Sequence, residues 1–218
     1  MLSGERRTRR GRSAYGPAAA LSVATVAIVG AVTLVDGRLA ELLVSEHGPI
    51  EWLQVVLFAG AALISAQLAA LEWSERRSGA PELLLSASFA LLAISEMELP
   101  RLLLGKSIRI RRLARDVAAG LPRETIFVLV TAVLVVGLGV YALRHRAELV
   151  AWGRPALGTA WGRLLLLAAS ILVLTELFER PLNHLVGPDL PRSLLEETLE
   201  LLAALYCFLA LMQRRGRP

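Results

Sequence analysis

The chain is short of the residues on which most small-protein chemistry depends. It has a single cysteine, Cys207, so no intrachain disulfide can form and Cys-x-x-Cys metal or redox motifs are excluded. Cys207 lies inside an apolar run and is expected to pack as a small hydrophobe. Histidine is scarce as well, with only His47, His145 and His184, where zinc hydrolases prefer several. No His-Glu-x-x-His, no Gly-x-Ser-x-Gly and no phosphate-binding glycine loop occurs. Of the 24 basic residues only Lys106 is lysine; it falls in a predicted loop, which leaves no lysine inside a helix for a Schiff base.

What is abundant is apolar. Of 218 residues 55% are hydrophobic, and the mean hydropathy is +0.56. Several runs approach the roughly 20 residues that cross a hydrocarbon core, and the charges sit between them. A lone segment in lipid must satisfy its own backbone hydrogen bonds, so each run is expected to be helical. The fold class is therefore an all-α integral membrane protein, a bundle of about six transmembrane helices. Residues 1–16 form a basic cytoplasmic tail, expected to be disordered. Residues 17–213 form one transmembrane domain, with spans near 17–35, 50–71, 81–98, 125–143, 161–179 and 194–212. Residues 214–218 form a second basic tail. Gly48-Pro49 sets the start of the second span, and Trp52 and Trp73 mark its ends as interfacial aromatics. Gly137-Leu138-Gly139 reads as a helix-packing site in the fourth.

The net charge of +5 and the pI of about 10.3 are read as topology rather than nucleic-acid binding. Arginines concentrate in the N-terminal tail, at Arg76 and Arg77, at Arg144, Arg146 and Arg154, and after Gln213. That pattern places both termini in the cytoplasm. The arginine-, alanine- and leucine-rich composition suggests a GC-rich bacterial genome, hence the bacterial inner membrane. The lipid bilayer is the expected partner, with no nucleic acid. One stretch runs against the rule: residues 101–123 carry seven basic residues, and alternation places them outside.

Ionisable groups within a span cost about 2.5–3.5 kcal/mol each on insertion scales, so each needs a reason. Glu96 lies fourteen residues past Glu82, Glu176 thirteen past Arg163, and Glu200 thirteen before Gln213. At 1.5 Å per residue each is about 20 Å from the cytoplasmic boundary, so the three converge in the outer half of the membrane. Glu179 shares a face with Glu176, Glu98 follows Glu96, and His184 lies in the next external segment. Glu96, Glu98, Glu176 and Glu179 lie toward helix C-terminal ends, where the dipole disfavours an anion. Glu51 opens a helix, and Ser193-x-x-Glu196 fits a capping box, so those two acids read as structural, as does His47.

Three partners for the costly acids remain open. The external arginines Arg101, Arg109, Arg111, Arg112, Arg180 and Arg192 could form bidentate ion pairs with them. A divalent metal ion could be held by Glu96, Glu98, Glu176, Glu179, Glu200 and His184, as carboxylates on facing helices hold iron or manganese; the paired Glu-x-x-His motifs of such sites are absent. Proton or cation transport is the third, though the inner half offers little beyond Ser65, Gln67, Ser86 and Ser88. The expected protein is thus one with an outward-facing acidic pocket between the third, fifth and sixth spans. Ion pairs to the basic stretch hold it, in a structural or partner-binding role. A metal-dependent membrane enzyme and a small ion or proton transporter are the alternatives.

Ser95-Glu96-Met97-Glu98-Leu99, Leu194-Leu195-Glu196-Glu197-Thr198-Leu199-Glu200-Leu201 and Gly48-Pro49-Ile50-Glu51-Trp52-Leu53-Gln54 resemble segments of a group of uncharacterised bacterial multi-span inner-membrane proteins. Those proteins show an acidic pair ending a middle span, a basic stretch after it, and Glu-Glu-x-x-Glu opening the last helix. The resemblance runs in patches from His47 to Met212; it implies the multi-span fold and carries no activity with it. The topology is testable. Cysteine placed by Ser107→Cys in a Cys207→Ala background is expected to react with a membrane-impermeant thiol reagent from the periplasmic side. Labelling only after the inner membrane is opened would place the basic stretch inside and dissolve the convergence of the acids.

Overall fold

The computed structural model describes residues 16–35, 42–43, 48–97, 122–179 and 190–216. Among the described residues all regular structure is helical, as expected. Seven helices follow one another: α1 (Gly16–Val35), α2 (Pro49–Ser74), α3 (Ala80–Glu96), α4 (Pro122–Arg144), α5 (Arg146–Leu157), α6 (Ala160–Glu179) and α7 (Leu190–Arg215).

Local chemistry accounts for the best-defined boundaries. Gly48 is extended and Pro49 follows in the first turn of α2, where a missing N–H costs nothing and the fixed φ is pre-organised. Pro81 opens α3 in the same way. Between them Arg76 adopts φ 59°, a left-handed conformation that reverses the chain, and the Arg77 N–H returns to the Glu72 carbonyl at 2.8 Å. A Cβ on Gly79 would meet the Ala69 carbonyl oxygen at 2.7 Å. Glycine there lets α3 fold back closely on α2.

Packing centres on α2 and α7. α2 lies against α3 and α7, and α7 also contacts α6 and α1. In the core Phe58 stacks on Phe89 at 6.5 Å between ring centroids, and Ala61, Ala168, Ala203, Ala204 and Leu211 are fully buried around them. Cys207 belongs to this cluster. A second cluster joins Ala18, Ala156, Trp161, Leu164 and Ala210, and the Ser22 and Tyr206 hydroxyls meet at 2.6 Å. The start of α1 therefore sits beside the end of α7. Followed through these contacts, the six long helices alternate in direction, with α5 lying across one end.

α4 differs from the rest. Leu129, Val133, Val136 and Leu143 are all more than half exposed, and its contacts are with α3 and α5. A Cβ on Gly137 or Gly139 would meet nothing within 4 Å. Among the described residues nothing packs on the glycine pair, which was expected to be a helix-packing site.

Among the described residues one helix, Pro49–Ser74, is long and apolar enough to cross a membrane. Among the described residues the apolar parts of α1 (Ala18–Ala31) and α6 (Ala160–Thr175) are shorter, and α4 with α5 qualifies only as a pair bent by 79°. Two boundaries depart from the sequence reading. α5 occupies a stretch read as connection. α7 begins at Leu190 and runs to Arg215, because Leu190-Pro191 suits a first helical turn. Ser193 therefore lies inside the helix and does not cap it, and Arg214 belongs to the bundle, not to a tail.

Phe58→Ala is expected to destabilise the protein by about 3–5 kcal/mol, the range for emptying a buried aromatic site. Val56→Ala, on the exposed face of the same helix, should change stability by less than about 0.5 kcal/mol. Denaturation of both variants in one detergent measures the contrast.

Candidate functional site

Buried polar groups gather at the two ends of the bundle. At one end the start of α2, the end of α3 and the first half of α7 come together. Gln54 is completely buried. Its amide Nε2 donates to the backbone carbonyl and to the Oε2 of Glu197, both at 3.2 Å. Its Oε1 receives no hydrogen bond. Glu96 lies within electrostatic range of Glu197 and Glu51, and Glu51 and Glu96 share a small cavity with Trp52, Val55 and Met97. Among the described residues no cation reaches ion-pairing distance of Glu96 or Glu197. The helices force the arrangement: Gln54 shares a buried face of α2 with Phe58, Ala61, Ser65 and Leu68, and the packing that seats Phe58 carries Gln54 against α7.

This cluster overlaps the expected one in part. Glu96 is half-buried at the expected end, yet its described neighbours are Glu51 and Glu197, from α2 and α7. Glu51, read as a helix-end acid, does open α2 and also joins the cluster. Glu200 lies one turn further along α7 and is partnered. The side chains of Glu176, Glu179 and Arg192 lie outside the described residues, as do Glu98, His47, His184, Arg101, Arg109, Arg111, Arg112 and Arg180. Among the described residues no three of His, Cys, Asp and Glu stand close enough to hold a metal ion. Nor do the polar groups run on through the bundle. Ser65 Oγ is buried without a partner, but it is eleven residues from Gln54, about 16 Å along the helix, and Phe58, Ala61 and Ala62 fill the interval. Gln67 faces outward, and Ser86 donates back to the Ala62 carbonyl at 2.9 Å.

The opposite end holds a cluster that the sequence reading missed. Glu82, in the first turn of α3, is 1% exposed. Its Oε1 accepts from Arg214 Nη2 and from Trp152 Nε1, the latter at 2.9 Å. The Arg214 guanidinium lies over the rings of Trp161 and Trp152, at 4.9 and 5.2 Å, and reaches Glu72 at 4.0 Å. Five helices, α2, α3, α5, α6 and α7, thus meet on one carboxylate–guanidinium pair, and cation–π contact compensates the desolvated charge. The pairing is incomplete, since Glu82 Oε2 and Arg214 Nη1 are buried without partners. In the sequence Glu82 resembles an ordinary helix-start acid. The one available signal was two tryptophans, Trp152 and Trp161, at the depth where the last span turns basic.

Arg214→Met is expected to cost about 3–5 kcal/mol, because it leaves Glu82 charged and buried without its cation. Glu82→Leu combined with Arg214→Met should recover most of that loss, since a well-packed apolar pair replaces a buried ion pair at little cost. Chemical denaturation of the single and double variants reads the difference; a double variant as unstable as the single would show that the pair itself stabilises the bundle. Comparison of the chain with protein-family models, with curated proteins and with solved structures gives no match.

Proposed function

We propose that the protein is a multi-pass membrane protein of the bacterial inner membrane, with both termini cytoplasmic and an outward-facing acidic mouth that serves a structural or partner-binding role. Two features support the membrane reading. The first is the exposed surface. Val23, Ile28, Val56, Leu63, Val133, Val136, Leu166 and Val173 are each more than half exposed on helices of 20 residues or more. Contiguous apolar surface on that scale is foreign to a monomer in water and ordinary in lipid. The second is the pair of tryptophans on α2. Trp52 and Trp73 are both about half exposed and stand 21 residues apart, about 31 Å along the axis, close to the hydrocarbon thickness of about 30 Å.

The observation that carries the role is Gln54. A completely buried amide that anchors Glu197, with its own carbonyl oxygen left open, beside a Glu96 that no cation among the described residues reaches, leaves more acceptors than donors at this mouth. Such a mouth attracts a guanidinium. The chain supplies several in Arg101, Arg109, Arg111 and Arg112, which the proposed topology places on the same side. In this reading the basic stretch is held to the bundle by ion pairs with the acidic mouth, which offsets the cost of both.

A double-mutant cycle tests it. Glu96→Gln is combined with replacement of Arg101, Arg109, Arg111 and Arg112 by glutamine, and unfolding free energies are measured in detergent. The expected coupling is at least about 0.5 kcal/mol, beyond the additivity of independent sites. Strict additivity would reject the ion-pair reading. Stoichiometric iron, manganese or zinc in purified wild type, lost in Glu96→Gln, would instead make the mouth a metal site.

A further inference from the structure

α5 has an outer face that the bundle leaves uncovered. Its inner face, Leu149, Trp152 and Ala156, turns toward the bundle, with Ala156 buried and Trp152 on the Glu82–Arg214 pair. At 100° per residue, Arg146, Val150, Arg154 and Leu157 fall within about 80° of arc on the other side. All four are exposed, Val150 and Leu157 by 53% and 50%. Guanidinium and aliphatic side chains alternating along one stripe suit neither open water nor hydrocarbon. They suit the boundary between them, where aliphatic tips enter the acyl region and arginines reach out to phosphate.

Orientation and charge agree. α5 turns 79° away from α4, so with α4 across the bilayer it lies nearly in the membrane plane. Among the described residues none of Arg144, Arg146, Arg154 and Arg163 has a carboxylate at ion-pairing distance. The one acid on α5, Glu148, is engaged elsewhere. The Ser78 hydroxyl donates to it and His145 Nδ1 stands 3.3 Å from its other oxygen; the serine bond first, then the histidine, hold its carboxyl below the usual range. Among the described residues nothing neutralises the arginines beside it. A nucleic-acid backbone would gain nothing from Val150 and Leu157 between the arginines.

We propose that α5 is an interfacial helix that binds the phosphate of anionic phospholipid headgroups through Arg146 and Arg154, with Val150 and Leu157 seated in the acyl boundary. The proposal rests on the multi-pass reading above. The test titrates the full chain in detergent micelles with short-chain phosphatidylglycerol, with phosphatidylcholine of equal chain length, and with inorganic phosphate, and counts bound molecules by native mass spectrometry. Phosphatidylglycerol is expected to bind the wild type in preference to the other two. Binding should weaken roughly thirtyfold in Arg146→Gln/Arg154→Gln, at about fivefold per arginine near an anionic surface. Arg76→Gln/Arg77→Gln, which removes the same charge elsewhere at that end, should bind nearly as the wild type does. Equal binding of the two lipids, equal losses in the two double variants, or phosphate binding as tightly as the lipid would each overturn the proposal. Failure of the multi-pass reading is seen separately, as protein that stays in solution when detergent is removed without added vesicles.

Discussion

The bundle depends on how closely its neighbours can approach α7. On the multi-pass reading proposed above, the surrounding acyl chains are as apolar as leucine, so helices gain little by hiding from their solvent and associate through dispersion contacts and interhelical hydrogen bonds. α7 meets this with small side chains where other helices cross it: Ala203, Ala204 and Ala210 have no exposed surface and Cys207 almost none. α2 and α6 lie against the Ala203–Ala204–Cys207 stretch and α1 against Ala210. Larger residues appear where there is room to interlock them, as with Phe58 and Phe89. Both polar clusters take their positions from this packing, because each draws one essential member from α7.

The two ends treat a buried carboxylate in opposite ways. Glu82 has a guanidinium, an indole N–H and two aromatic faces arranged around its cation, so most of the desolvation cost is offset within the bundle. Among the described residues Glu96 has the acids Glu51 and Glu197 as its charged neighbours, and the Gln54 amide donates to Glu197 alone. A completed pair of the first kind fastens helices together. An uncompleted group of the second kind leaves binding capacity at the surface, and that asymmetry separates a structural joint from a candidate site in a chain whose polar residues are few.

The helical class, the starts of α2 and α3 and the place of Cys207 were legible in the sequence, because apolar run length, Gly-Pro punctuation and a lone cysteine in an apolar run each act locally. Glu96 was legible as a costly acid for the same reason, since its position in its own helix suffices. Its described neighbours were not. Counting residues from a presumed boundary puts Glu96, Glu176 and Glu200 at one depth, but depth says nothing about which helices are adjacent, and that choice is made by side-chain volumes on α2, α3 and α7. Glu82 was hidden by convention, since an acid in a first helical turn needs no further explanation. α5 is short and carries Arg146, Glu148, Arg154 and an internal Pro155, and its inner stripe of Leu149, Trp152 and Ala156 is what marks it as a helix against the bundle.

The Glu82–Arg214 pair also imposes an order of events on the growing chain. Its two members are 132 residues apart. At about 5–20 residues per second of synthesis, Glu82 waits roughly 7–26 s for its cation. Throughout that interval α3 exists without the guanidinium that its acid will meet. Closure of the bundle at that end therefore waits on α7, which locks the helices made before it.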